Sequence, residues 1–440
     1  MSERPDPVSD PRYDDLTVAL GDVLDVIEIP ATPGVEVVRG RVRGRVRRRR
    51  RRRVTAVSSV LCGLVALAVV AVAVDPGSVS VQTPPAAPSL SVESGDGTTW
   101  EWHDDPGIVA RDGSESGFAI SRGAEIEELV IVLGDSELCA DATTCARSTD
   151  HFDSAEFEEL METPSEELPA GFEVSPPTLL GSGSPFEGAT VVWMPQVTGD
   201  MGLGTLDYGK VEGLAGTQHF VGRDNVETLV SRIAAMPFTG QLDRVLVVGT
   251  GSGGFAALGN YPAIESAFGE PEVSLLVDTA PWFDPGDLVR RCWANQLVAT
   301  WGLRLPPGWP EELATGAEAM GNIYPYLADR YPDARLGFMA ATDDLPMRRL
   351  LAQTSSACPE AAQTGGNLTA DDPAAVTPEQ YTQELESLFA ELELLGPWTT
   401  LHTNPSPADL PEERPLVQAL RDPGAEDAAG IIEFIDSFRG

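Results

Sequence analysis

Fourteen residues, Val245-Leu-Val-Val-Gly-Thr-Gly-Ser-Gly-Gly-Phe-Ala-Ala-Leu258, restrict what this chain can fold into more than any others. Val245 to Val248 form a short aliphatic run of the kind found in strands buried on both faces. Glycines then interrupt the run, and an apolar helical pattern follows. A strand that turns sharply into a helix through glycines is the geometry that presents a reactive serine in the pattern G-x-S-x-G. Here Gly249 and Gly253 hold the outer positions, but Gly251 fills the expected nucleophile position and Ser252 comes one residue late. The signal for the fold and the signal for the chemistry part at a single residue.

The rest of the chain from about residue 98 agrees with the fold signal. Short apolar strand candidates at Leu129–Leu133, Ala189–Trp193, Val245–Val248, Val273–Val277, Arg335–Ala340 and Trp398–His402 alternate with helical patterns. The helical patterns are Asn225–Ala235, Gly254–Phe268, Pro285–Thr300, Pro378–Leu395 and Ala428–Phe438. Alternation of this kind predicts an α/β fold, a mainly parallel sheet with helices on both faces. In such folds the site lies at the carboxyl ends of the strands. The segments there are Gly134-Asp-Ser-Glu-Leu-Cys139, Met194 to Gly204, the glycine turn, Asp278-Thr-Ala-Pro281, Thr342-Asp343-Asp344 and His402. Turn, acid and histidine follow in the chain order of an α/β-hydrolase.

Several ordered motifs then resemble the pectinacetylesterase/Notum family of α/β-hydrolases. Leu133 to Cys139 followed by Cys145 resembles the family's glycine turn and cysteine pair. Pro195-Gln-Val-Thr-Gly-Asp200 with Gly202 and Gly204, Gln218-His-Phe-Val-Gly-Arg-Asp-Asn225, Gly249 to Leu258 with Asn260-Tyr261, and Asp278 to Pro281 match further family segments in order. The similarity spans about residues 125 to 405. It implies a serine esterase that removes acyl groups, with Asp344 as acid, Asp343 as a neighbour able to substitute, and His402 as base. The family serine falls on Gly251, with Ser252 on the following alanine. The oxyanion region falls on Gly134, Asp135, Ser136 and Gly253, so that acidic Asp135 and Glu137 stand where the family has glycines.

Physical chemistry gives these departures a direction. Glycine at 251 relaxes a turn that strains any other residue, and it removes the attacking oxygen. An oxyanion hole needs positive dipoles, which Asp135 and Glu137 oppose unless they point away. Each residue also fits a purely structural role: Ser252 as a first-turn helix residue, Asp343 or Asp344 as a helix cap, His402 as a half-buried strand-end residue, His219 as loop packing.

The amino-terminal part reads differently. Val54–Val74 is an uncharged apolar run of 21 residues, long enough as a helix to cross a bilayer core of about 30 Å. Eleven arginines crowd Arg39–Arg53 directly before it. The positive-inside rule then predicts a single-pass protein with a cytosolic tail (1–53), a transmembrane helix (54–74), a Pro/Ser-rich stalk (75–97) and an extracytoplasmic domain (98–440). About fifty polar residues precede the apolar run, which argues against a cleaved signal peptide.

Net charge is −38, and from residue 75 onward 59 carboxylates face 17 bases. A surface that acidic repels nucleic acid and anionic lipid, so neither is expected as a partner of the outer domain. Of five cysteines, Cys62 lies within the apolar run. The other four suit an oxidising compartment: Cys139–Cys145 is the local pair, leaving Cys292–Cys358, with other pairings open to the sequence alone. Four scattered histidines and the lack of C-x-x-C spacing give no expected metal or cofactor. Two readings follow. One is a membrane-anchored, pectinacetylesterase-like domain whose esterase site is degraded and which binds or scaffolds. The other is an active serine carboxylesterase or deacetylase acting on acylated carbohydrate or a related ester.

Overall fold

The apolar runs are strands, and their alternation sorts side chains into two cores. In β4 (Glu125–Leu133), Leu129, Ile131 and Leu133 join one hydrophobic cluster, while Val130 and Val132 join the other. The same division holds in β8 (Arg244–Thr250), where Val245 and Val247 face one way and Leu246 and Val248 the other. A strand buried on both faces needs helices on both faces, because neither row of side chains has water to meet. Each such residue contributes about 1.5–3 kcal/mol by leaving water.

These elements come from a computed structural model, which describes residues 89–94, 97–283, 288–289, 291–303, 321–356, 376–403 and 414–439. All fall within one compact unit, Gly77–Gly440. The arginine block, Val54–Val74 and Cys62 lie outside the described residues. Among the described residues no helix is long and apolar enough to cross a membrane.

The main sheet has nine strands in the order β1-β2-β3-β5-β4-β8-β9-β10-β11. Six run parallel: β5 (Ala189–Met194), β4, β8, β9 (Glu272–Asp278), β10 (Leu336–Ala341) and β11 (Trp398–Thr403). They are the six strands expected from sequence. Beyond them lie β1 (Ser89–Glu93), β2 (Thr99–Val109) and β3 (Glu115–Ser121), all antiparallel to their neighbours. The sheet therefore begins inside the 75–97 segment read as a stalk: Ser89 to Glu93 pair with His103 to Thr99. A small two-stranded sheet, β6 (Leu206–Gly209) and β7 (Gln218–Phe220), completes the strands described.

Helices Gly222–Ala234, Ser252–Phe268 and Pro378–Glu393 cover one face, and Ser154–Glu162, Pro415–Arg421 and Glu426–Asp436 the other. Parallel register brings the strand ends level. Leu133 pairs with Gly249, Gly249 with Val277, Thr250 with Asp278, and Asp278 with Met339. The loops after four strands thus open from one edge.

Two features hold that edge together. Asp200, fully buried, accepts hydrogen bonds from Thr198 Oγ1 (2.7 Å), Gly202 N–H (3.0 Å) and Gly222 N–H (2.9 Å), tying the loop after β5 to the helix Gly222–Ala234. Burial raises its pKa, and these three donors oppose that rise. Cys139 and Cys145 form a disulfide with a Cα separation of 4.0 Å, shorter than the usual 4.4–6.8 Å because one short helical turn, Ala142–Cys145, joins them. Cys292 is also disulfide-bonded; Cys358 lies outside the described residues.

Candidate functional site

Gly251 sits at the tip between β8 and the helix Ser252–Phe268, with φ +54° and ψ −120°. An L side chain there carries a strain of about 1–3 kcal/mol, which glycine avoids. Gly251 N–H donates to Asp278 O at 3.0 Å, locking the tip to the end of β9. Gly253, one turn on, packs so tightly under the end of β4 that any Cβ would overlap the carbonyls of Leu133 and Gly134. Gly134 in turn donates its N–H to Met194 O at 3.0 Å. The strand–turn–helix is a nucleophile elbow in backbone geometry, with no side chain at its tip.

Two groups fill the space where that side chain would stand. A Cβ built on Gly251 would overlap both the Asp135 carboxylate and the Arg414 guanidinium. Asp135 Oδ2 is ion-paired with Arg414 Nη1. Asp135 Oδ1 accepts the backbone N–H of Ser252 at 2.6 Å and that of Ser136 at 2.8 Å. In an α/β-hydrolase, the N–H after the nucleophile and an N–H from the loop after an adjacent strand form the oxyanion hole. Ser252 and Ser136 supply the corresponding N–H groups here, and both donate to a carboxylate of the same chain. Asp135 therefore does not point away from these donors, whereas Glu137 does.

Ser252 opens the helix, and its Oγ accepts the Ser136 N–H at 2.8 Å. Among the described residues no hydrogen bond joins Ser252 to a histidine. Glu137 turns outward to pair with Arg147 at 2.8 Å. Ser136 Oγ donates to Glu137 O at 3.0 Å.

Asp344 takes the helix-cap role considered for it and pairs with Arg414. It is buried at 3% exposure and accepts Met347 N–H at 2.6 Å, capping the helix Leu345–Ser356. Its Oδ2 also lies 3.7 Å from Arg414 Nε. Burial raises its pKa, and Arg414 pulls the other way. Asp343 pairs instead with Arg348 at 2.7 Å.

His402 is placed elsewhere. It lies within β11 opposite Ala340, and its ring stacks on Phe389 with centroids 3.6 Å apart. Partial burial lowers its pKa, and Glu393 and Glu386, on or near the helix covering it, oppose this. The structure therefore groups Ser252 with Asp135 and Asp344 with Arg414, and leaves His402 with Phe389. His219 bonds Asp207 at 2.8 Å beside β6, away from these groups' contacts.

Three site residues carry no assigned role in the sequence, although Asp278 stands among its strand-end segments. Arg414 precedes Pro415 at the start of the helix after the last strand, in the part of the chain where a histidine was sought. Its side chain is 12% exposed. Burial would lower its pKa, but Asp135, Asp344 and Asp278 outweigh burial and raise it. Asp278 is fully buried, and burial pushes its pKa up to about 7 against the pull of Arg414 and the hydroxyls of Thr250 (3.1 Å) and Thr279 (3.2 Å). Thr279 holds φ +54°, a conformation rare for a β-branched residue. Tyr381 is the third: its fully buried hydroxyl has Asp344 and Arg414 among its charged neighbours. A basic residue, rather than a histidine, after the last strand was the available signal.

One group of possible metal ligands occurs among the described residues: His151, Asp153 and Glu156, with ligand atoms within 4.8 Å of one another. Asp153 and Glu156 already form a capping box on the helix Ser154–Glu162, so helix capping accounts for where they stand.

No protein-family model matches the sequence, and no curated protein matches it. Among solved structures, the chain is similar to the Wnt deacylase Notum from Drosophila. The identity is 15%, the match covers 68% of this chain and 83% of that one, and the TM-score is 0.46.

Proposed function

We propose that this protein is a membrane-anchored, extracytoplasmic α/β-hydrolase-like domain of pectinacetylesterase/Notum type. In this reading its ester-hydrolysing site has become a structural ion pair and the domain serves to bind or scaffold. One observation carries the loss of chemistry: Asp135 and Arg414 occupy the space over Gly251 and both elbow N–H groups. A serine esterase needs a nucleophile, a base that takes its proton, and free donors for the oxyanion. Here the tip has no side-chain oxygen, and among the described residues the ionised group paired with Asp135 is a guanidinium, which cannot serve as a base at ordinary pH. Anchoring and topology rest on the arginine block and Val54–Val74.

A general carboxylester assay on the full-length chain tests the chemistry. The expected result is background turnover, unchanged by Ser252→Ala. Turnover abolished by Ser252→Ala would establish the active esterase instead. Protease added to intact cells tests topology: it should remove the carboxyl-terminal domain and spare the tail, and protection of that domain would overturn the proposed orientation.

A further inference from the structure

Asp135 is a carboxylate on a single methylene, the size and charge of acetate. Its recognition is complete. One oxygen receives the Ser252 N–H at 2.6 Å and, at 2.8 Å, the Ser136 N–H that it shares with Ser252 Oγ, and the other meets Arg414. The first donor opens a helix of 17 residues, so the positive end of its dipole adds to the attraction. A second observation is independent of this contact. Around the same guanidinium, the fully buried Tyr381 hydroxyl has no hydrogen-bond partner among the described residues, and Arg414 Nε and Asp344 Oδ2 face each other at 3.7 Å without a hydrogen bond. Polar capacity at the corner thus exceeds what Asp135 uses.

We propose that the corner formed by Ser252 N–H, Ser136 N–H and Arg414 is a receptor for a small carboxylate, and that Asp135 keeps it shut as a built-in ligand. The inference rests on the reading of the elbow as a site without hydrolytic chemistry, and names the ligand class of that same site. It follows that the intact chain does not respond to acetate, whereas removal of the Asp135 carboxylate leaves a vacancy lined by Ser252 N–H, Arg414 and the Ser136 N–H that also meets Ser252 Oγ. Glycine is the suitable replacement, since the turn then loses only the side chain.

The test is chemical rescue in the full-length chain. Asp135→Gly should melt at a lower temperature than the parent. Sodium acetate should raise its midpoint in a saturable way, as a ligand specific to the folded state does. Sodium chloride at equal ionic strength should not, and neither should acetate with Asp135→Gly/Arg414→Gln or with the parent chain. Folding of Asp135→Gly only in acetate also supports the proposal. A folded Asp135→Gly that ignores acetate overturns it, as does a parent chain that binds acetate. If Asp135→Gly does not fold under either condition, Asp135→Asn decides. This variant keeps the shape and removes the charge, so it should be clearly less stable than the parent, and equal stability overturns the proposal. Ester turnover by the parent chain would instead count against the proposed function, and is read in a separate assay.

Discussion

Asp135 and Arg414, 279 residues apart in sequence, meet directly above Gly251. One comes from the loop after β4, the other from the start of the helix that follows β11. Their contact closes a ring around the elbow, because Arg414 also faces Asp344 at 3.7 Å and Asp135 also holds Ser252 N–H. Four strand-end segments are thereby joined through one guanidinium.

Restoring the serine should not restore an enzyme. Gly251→Ser places a Cβ against both members of the pair and imposes a positive φ on an L residue. The expected loss of stability is at least the ~1–3 kcal/mol of backbone strain, with no measurable ester turnover. Denaturant midpoints and a carboxylester assay check both. A stable, active Gly251→Ser would show that the pair yields readily.

Removing the cation should be worse than removing an anion. Arg414→Gln leaves Asp135 and Asp344 without their shared cation, and breaking a buried pair from one side typically costs about 3–5 kcal/mol. A double-mutant cycle with Asp135→Asn should give a large positive coupling, since the two residues share one contact. Additive losses in urea melts would mean that the pair contributes nothing as a pair.

The site also sets a direction for pH dependence. Asp278 has its pKa pushed up to about 7 by burial, so the folded chain holds a proton that the unfolded chain has released. Between the ordinary carboxylate range and about pH 7 the folded state binds more protons, and stability falls as pH rises through that window. The contribution is on the order of 4 kcal/mol across the window, and Asp344, also raised, acts in the same sense. Urea midpoints measured from pH 4.5 to 8 should decline more steeply for the parent than for Asp278→Asn. Parallel profiles would remove Asp278 as the group responsible.

The loop carrying Asp135 is pinned at its far end. Cys139 is bridged to Cys145, its N–H donates to Gly199 O at 2.7 Å, and its carbonyl accepts from Trp301 Nε1 at 2.8 Å. Cys139→Ser with Cys145→Ser should lower stability by about 2 kcal/mol, as expected for closing so short a loop. If this loop positions the carboxylate, the same change should also weaken the coupling between Asp135 and Arg414. Unaltered coupling would assign the disulfide to the loop alone.

The fold was legible where burial on both sides forces an unbroken apolar run. That condition holds for the six parallel strands, and all six were readable. It fails for β2, which contains Asp105-Pro106-Gly107, a sequence that reads as a turn. The strand tolerates it because its register with β3 shifts between Asp105 and Val109, a bulge that needs no ladder hydrogen bond from proline. The site was legible by position and not by partner. Gly251, Ser252, Asp135 and Asp344 were all found as strand-end residues, whereas the link between Asp135 and Arg414 has no periodicity to reveal it. His402 satisfies the expected chain order and lies in the expected strand, yet its ring stacks on Phe389 and not on the elbow's groups.

An open oxyanion hole is an expensive thing for a fold to keep, since its donors face no partner until a substrate arrives. Here Asp135 Oδ1 accepts the N–H groups of Ser252 and Ser136. Under the proposed function, the corner that a hydrolase holds in reserve would serve folding instead, the stability–activity trade-off run to one extreme.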